Sequence, residues 1–182
     1  MNGDAMIQAE IGGAARVDSG NGAQRPGFMI RDFTLVSAGG EDVRISSFRG
    51  RVNLVVVFPA RSDAMRVFLE DVGRRGHKFT EQDTRVVAVI PGGPEEQTIP
   101  IENSPAVVVL YDQTHAVYRR SGATDENGRP VPLVYLTDRF GEIVSVYVAP
   151  SQSMPPKVEE ILSALEFMNQ QCPECEPPEW PR

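Results

Sequence analysis

Residues 52–58 read Val-Asn-Leu-Val-Val-Val-Phe, and this nearly unbroken apolar run decides the fold. A strand that is buried on both of its faces has this composition. After Pro59, Ser62 can cap the start of a helix. Apolar residues then recur at the i, i+3, i+4 and i+7 spacing of one helix face, at Met65, Phe68, Leu69 and Val72. The stretch therefore predicts a strand followed by a helix, which Gly73 and Gly76 end.

The rest of the chain supplies further strands and helices around this unit. The predicted elements are a hairpin through Phe33, Leu35, Val43 and Ile45, strands at 86–90, 106–111, 134–136 and 143–148, and helices at 113–121 and from Pro155 onward. Strand–helix–strand units favour parallel pairing, whereas the late hairpin adds antiparallel strands. We expect an α/β fold with a mixed central sheet and helices on both of its faces.

Composition limits the function classes. The chain has 182 residues, of which 41% are hydrophobic and 24% are charged, as in an ordinary globular domain. Its net charge of -7 disfavours docking on nucleic acid or on anionic lipid. No apolar run approaches the roughly 18 residues that a membrane helix needs. We therefore expect neither a nucleic-acid partner nor a membrane partner.

The two ends of the sequence differ from its centre. Residues 1–26 are rich in Gly, Ala, Asn and Asp, which predicts a flexible arm, with a dimer-stabilising arm as the alternative. We expect one domain over 27–169 and a tail over 170–182. No secretory signal pattern is present, so the expected compartment is the cytoplasm, where thiols stay reduced.

Three separated blocks resemble thioredoxin-like redoxins, including the alkyl hydroperoxide reductase/thiol-specific antioxidant branch that contains peroxiredoxins. The blocks are 31–35 (RDFTL), 43–58 (VRISSFRGRVNLVVVF) and 131–138 (VPLVYLTD) followed by Gly141. They occur in the family's order and the resemblance spans roughly residues 27–169. It implies a thioredoxin-like fold with an N-terminal hairpin.

The chain departs from this family at the catalytic segment. The resemblance implies a C-x-x-C pair, or a hydroxyl residue and a peroxidatic cysteine, at Asp63 and Arg66. The family's chemistry uses this helix start because free N–H groups and the helix dipole stabilise a thiolate. Neither Asp63 nor Arg66 can supply one. The two are either surface residues or the remnant of an anion or substrate pocket, and peroxidase activity is not expected.

The pair Val131-Pro132 matches the family's cis-proline strand. The resemblance implies a cis bond there, and backbone groups that bind an extended peptide in a groove shared with Asp63 and Arg66. Because the peroxidase branch usually lacks this proline, the pair favours thiol–disulfide chemistry. The alternative is a trans proline at the start of an edge strand.

The sequence's only cysteines form the motif Cys172-Pro173-Glu174-Cys175. Three interpretations remain open: a redox dithiol, half of a zinc site that a second copy would complete, and a structural pair. The preceding helix end and the nearby acidic residues raise the expected pKa of both thiols. Trp180 indicates a tail that packs on a surface.

Two functions remain. The first is a thiol-disulfide oxidoreductase that uses Cys172 and Cys175 as a displaced catalytic pair. The second is a redox-silent module that binds a protein or peptide partner. A homodimer is compatible with either. No cofactor motif is present, and His77 and His115 lack metal-ligand spacing, so no cofactor or metal is assigned.

Overall fold

The computed structural model describes residues 22–96, 104–148 and 155–170. Within them lie seven strands and four α-helices. In chain order these are β1 (Thr34–Ser37), β2 (Asp42–Arg44), β3 (Asn53–Phe58), α1 (Asp63–Arg74), α2 (Gly76–Glu81), β4 (Thr84–Pro91), β5 (Val107–Asp112), α3 (Ala116–Ser121), β6 (Leu133–Thr137), β7 (Ile143–Val148) and α4 (Val158–Gln170). The described ranges contain no helix with the length and apolar character that a bilayer crossing needs.

The strands form one mixed sheet in the order β2-β1-β5-β4-β3-β6-β7. Strands β3, β4 and β5 run parallel to one another, and helices α1 and α2 form the crossover from β3 to β4. Strand β6 pairs antiparallel with both β3 and β7, while β1 pairs antiparallel with β5 and β2. This confirms the expected α/β architecture, in which a parallel centre is flanked by antiparallel strands.

Both faces of β3 are buried, because its side chains alternate between two separate hydrophobic clusters. Val55 and Val57 face α1, α2 and α4. Leu54, Val56 and Phe58 point to the other face, where α3 and the segment before β1 cover them. This two-sided cover explains why residues 52–58 lack the polar alternation of a half-exposed strand.

Two helices differ from the prediction. Gly73 lies inside α1, and a second short helix, α2, begins at Gly76. Helix α3 begins at Ala116 rather than at Gln113, because His115 adopts a left-handed backbone conformation with φ of 55°. Apolar periodicity does not report such a local backbone conformation.

Both ends of the described domain are fixed by polar contacts. Gln24, which belongs to the segment expected to be a flexible arm, donates its backbone N–H to the Tyr135 hydroxyl (2.9 Å). At the other end, Asn169 of α4 donates to the Gln82 side-chain oxygen (2.9 Å) and accepts from Asn53 Nδ2 (3.1 Å). Cys172, Cys175 and Trp180 lie outside the described residues.

Gly76 tests the packing between α2 and the start of β5. A Cβ placed on Gly76 would overlap the Ser104 hydroxyl and lie 3.0 Å from Ser104 Cβ. We expect Gly76→Ala to lower the free energy of unfolding by about 1–3 kcal/mol, since something must move to admit the methyl group. Gly39→Ala is the matched control, because its Cβ would meet only Ser37 Oγ at 3.6 Å. Urea unfolding compares the two, and an equal loss in both would contradict this packing.

Candidate functional site at the start of helix α1

Helix α1 begins directly after the turn that follows β3. Ser62 is its N-cap, with an extended backbone (φ -152°, ψ 151°) and a side chain that accepts a hydrogen bond from the Met65 N–H (3.2 Å). The predicted cap is therefore confirmed. Met65, Phe68, Leu69 and Val72 are all buried, as the spacing predicts. The free N–H groups at this helix start would stabilise an anion. No cysteine lies there to supply a thiolate.

Arg66 lies at the surface of the first turns of α1, where two carboxylates of the same helix balance its positive charge. Its Nη1 contacts Glu70 Oε1 at 2.7 Å, and its Nε lies 3.7 Å from Asp63 Oδ1. The Arg66 side chain is 44% exposed and the Asp63 side chain is 99% exposed. Residues three and four apart face each other on a helix, so these contacts follow from the sequence spacing. The structure thus places Asp63 and Arg66 together, on an open surface.

Two prolines end the pairing of β3 with β6. Phe58 and Leu133 are register partners, so Pro59 and Pro132 stand one residue farther out at the same end of the two strands. Neither proline has an N–H with which to continue the ladder. The structure therefore brings Val131 and Pro132 to the same end of the sheet as the turn before α1.

The prediction of a cis bond before Pro132 is wrong. No peptide bond among the described residues is cis. In the trans form Val131 donates its N–H to the Ala123 carbonyl (2.9 Å), and Thr124 and Pro130 form a bridge. Pro132 precedes the first residue of β6, where a missing N–H costs no ladder bond. The main argument for the thiol–disulfide branch is thereby removed.

The same contacts limit what an extended peptide could pair with here. The Val131 N–H is already used by Ala123, and Pro132 has none. A peptide strand docking along this pair would therefore find no free backbone donor from these two residues.

Tyr118 holds the turn before α1 from beneath. Its hydroxyl oxygen lies 2.8 Å from the carbonyl oxygens of both Pro59 and Val89, and its single proton can be donated to one of them. The Tyr118 ring packs edge-on against Phe58, with centroids 5.3 Å apart. Burial raises the pKa of Tyr118 well above its usual value, and the charge of Asp112 acts in the same direction. The hydroxyl is therefore a neutral structural donor.

Asp112 positions Tyr118. This buried carboxylate belongs to the last residue of β5 and accepts hydrogen bonds from the N–H groups of Ala116 (3.1 Å) and Tyr118 (2.9 Å). It thus satisfies the free donors at the start of α3, as a capping side chain does. His115 lies between Asp112 and Tyr118 in sequence. Its ring is tilted against the Tyr118 ring, with the centroids 6.2 Å apart.

Tyr135 forms a second buried hydroxyl contact on the same face of the sheet. It donates to the Ser121 carbonyl (2.6 Å) and accepts from the Gln24 N–H. Burial raises the pKa of Tyr135 to about 12, against the opposing hydrogen bond from Gln24 and the charge of Arg31. Tyr118 and Tyr135 both contact Phe58, so the two hydroxyl networks converge on the carboxyl end of β3.

Asp112, Tyr118 and Tyr135 were not among the site residues predicted from the sequence. One signal was present: Asp112 follows a strand and precedes a helix, as capping residues do. Tyr135 lies in an apolar stretch, whereas Arg119 and Arg120 follow Tyr118, and either hydroxyl needs partners once it is buried. The identity of those partners depends on contacts 14 to 111 residues apart in sequence.

The sequence profile of the AhpC/TSA family matches residues 26–146 of this chain. The chain belongs to the AhpC/TSA family. No curated protein sequence matches it significantly.

Solved structures with a similar fold include peroxiredoxins. A reduced 2-Cys peroxiredoxin of Plasmodium vivax superposes with a TM-score of 0.68 at 14% identity, covering 80% of this chain and 82% of its own. Mycobacterium tuberculosis AhpC gives 0.65 at 13% identity, covering 83% and 97%. A yeast mitochondrial 1-Cys peroxiredoxin gives 0.66 at 12% identity, covering 80% and 76%. These likenesses confirm the thioredoxin-like fold.

Tyr118→Phe tests the support of the turn before α1. Removing the hydroxyl leaves a buried carbonyl group, that of Pro59 or that of Val89, without this donor, so we expect a loss of about 1–3 kcal/mol in unfolding free energy. Tryptic cleavage after the exposed Arg61 should also become faster. Tyr147→Phe, at a half-buried tyrosine of β7, is the control and should lose less. Unchanged stability and unchanged cleavage in Tyr118→Phe would contradict the assigned role.

Proposed function

We propose that this AhpC/TSA family member performs thiol–disulfide exchange at Cys172 and Cys175 and performs no thiol chemistry at the start of α1. The observation that supports the absence of thiol chemistry at the start of α1 is the pairing of Arg66. Its guanidinium is bound by Glu70 and Asp63, at the position that the residue pattern assigns to the family's reactive cysteine. A guanidinium stays protonated and has no nucleophilic electron pair to offer.

The proposed exchange at Cys172 and Cys175 is based on the number and spacing of the cysteines. The sequence contains two cysteines, at a C-x-x-C spacing that allows a local disulfide. In the proposed step one thiolate attacks the disulfide of a partner and releases one partner thiol. The second cysteine then attacks the mixed disulfide and releases the other. The pair loses two electrons and two protons, and the partner's disulfide gains them.

The substrate class is therefore a disulfide of a protein or of a small thiol such as glutathione. We propose the cytoplasm as the compartment, because a dithiol there can be kept reduced and cycled.

A second candidate function is a redox-silent binding module, and the sequence around the cysteines favours it. Pro173 predicts that the last helix ends close to Cys172, which would then follow the negative end of the helix dipole. Glu174, Glu176 and Glu179 add negative charge in sequence. Both effects disfavour a thiolate. In this case Cys172 and Cys175 are structural or share a zinc ion with a second copy of the chain.

A redox titration separates the two functions. The protein is equilibrated in glutathione buffers of graded potential, and the Cys172–Cys175 disulfide is quantified by mass spectrometry after thiol alkylation. We expect a reversible two-electron transition within the range of the cytosolic glutathione poise, about -220 to -320 mV. Cys172→Ser and Cys175→Ser should each abolish the transition, whereas Arg61→Ala should leave its midpoint unchanged.

The zinc content of protein purified without chelator decides the alternative. About half an equivalent of zinc per chain, which Cys172→Ser removes, together with no reversible disulfide, would show the redox-silent form.

A further inference from the structure

The connection between α3 and β6 contains the dipeptide Asn127-Gly128, and both residues are exposed. Within the described residues the Asn127 side chain makes no hydrogen bond. Gly128 has a left-handed backbone with φ of 74°, and a Cβ placed on it would meet no atom within 4 Å. Asparagine is a chemically labile residue, and a following glycine leaves the approach to its side-chain amide unhindered. The Gly128 nitrogen and the Asn127 amide are therefore adjacent groups that can react.

The reaction of these two groups needs only water. The Gly128 nitrogen attacks Cγ of Asn127 and gives its proton to solvent, while the side-chain nitrogen takes up a proton and leaves as ammonia. The product is a cyclic imide. Water then adds to one of the two imide carbonyl carbons, which yields either aspartate or isoaspartate at this position. One water molecule is consumed, one ammonia molecule is released, and no atom is oxidised or reduced.

Hydrogen bonds to Asp125 oppose this reaction in the folded protein. The Gly128 N–H donates to the Asp125 carbonyl at 3.0 Å, which holds the proton that must leave and fixes the peptide plane between Asn127 and Gly128. Asp125 Oδ1 accepts from the N–H groups of Asn127 (2.9 Å) and Arg129 (2.8 Å). Asp125 also donates its own N–H to the Arg129 carbonyl at 2.9 Å. Bonds to a carboxylate are stronger than bonds between neutral groups. Because the attack requires that the peptide plane rotates, the turn 125–129 has to open first.

The turn 125–129 leads directly into β6, since Thr124 and Pro130 form a bridge across its two sides. Conversion of Asn127 places a new carboxylate beside those of Asp125 and Glu126, and like charges repel. Isoaspartate also adds one carbon atom to the main chain inside the turn. Both changes weaken the hydrogen bonds that close the turn.

We propose that Asn127 is a latent modification site, which converts to aspartate and isoaspartate when the turn 125–129 opens. Asp125 is the residue that controls the rate, because its carboxylate and its backbone form the hydrogen bonds that keep the turn closed. An exposed turn opens locally at a lower free energy than the whole domain. The conversion is therefore slow in the folded protein and fast once the chain is unfolded. This inference is independent of the thiol chemistry proposed above.

The test compares the conversion rate of Asn127 in the wild type, Asp125→Ala and Glu126→Ala, each incubated at neutral pH both folded and in urea. Trypsin releases the peptide 121–139, because Pro130 prevents cleavage after Arg129, and this peptide contains a single asparagine. Liquid chromatography with mass spectrometry separates its asparagine, aspartate and isoaspartate forms. Glu126→Ala is the matched control, because it removes the same charge from an exposed side chain that accepts no hydrogen bond from a described residue. Circular dichroism checks that both variants are folded without urea.

We expect the folded wild type to convert at least about tenfold more slowly than the same protein in urea, and folded Asp125→Ala to convert about tenfold faster than folded Glu126→Ala. In urea all three proteins should convert at similar rates, with the steps Asn2-Gly3 and Asn21-Gly22 as internal references. Equal folded and unfolded rates in the wild type would overturn the protection, and this comparison needs no variant. Equal rates in the two folded variants would overturn the role of Asp125. Absence of conversion at Asn127 in urea would overturn the site itself.

Discussion

Burial of β3 on both faces is the constraint on which the rest of this structure depends. All six of its residues are buried, so the chain must supply a cover for each side of the sheet. Helices α1, α2 and α4 cover one face, and α3 with the segment before β1 covers the other. The same strand positions the candidate site, because its carboxyl end delivers the turn before α1 and its amino end anchors α4.

The fold and the reactive group are supported by different residues in this protein. Phe58, Tyr118 and Tyr135 hold the carboxyl end of β3 through ring contacts and buried hydroxyl groups. None of these contacts requires a cysteine at the start of α1. An AhpC/TSA chain can therefore keep the helix cap and the core while Arg66 and its carboxylate partners occupy the surface above them. Stability of the fold places no demand on thiol chemistry at that position.

Patterns in the sequence predicted most of the strands and helices, because those patterns depend on residues that are close to one another in the chain. The strand at 52–58, the Ser62 cap and the buried face of α1 all follow from periods of two and 3.6 residues. The prediction of a cis bond before Pro132 was wrong, because the environment of this proline is set by Ala123 and by the bridge from Thr124 to Pro130. The Tyr118 and Asn169 contacts were not predicted, since their partners lie 59 and 116 residues away. For the candidate site, pattern placed Asp63 and Arg66 together but could not show that they are open to solvent.

We propose that no peroxidatic thiol stands at the start of α1, where Arg66 takes the position that the residue pattern assigns to the family's reactive cysteine. The direct measurement is the rate at which hydrogen peroxide is consumed by the reduced protein, folded and then unfolded in urea. A pocket that activates a thiol must be lost on unfolding, whereas an ordinary thiol reacts alike in both states. We predict folded and unfolded rates that agree within about tenfold, and a Cys172→Ser/Cys175→Ser double variant that consumes no peroxide. Consumption by the folded protein that is orders of magnitude faster than by the unfolded chain would contradict this account.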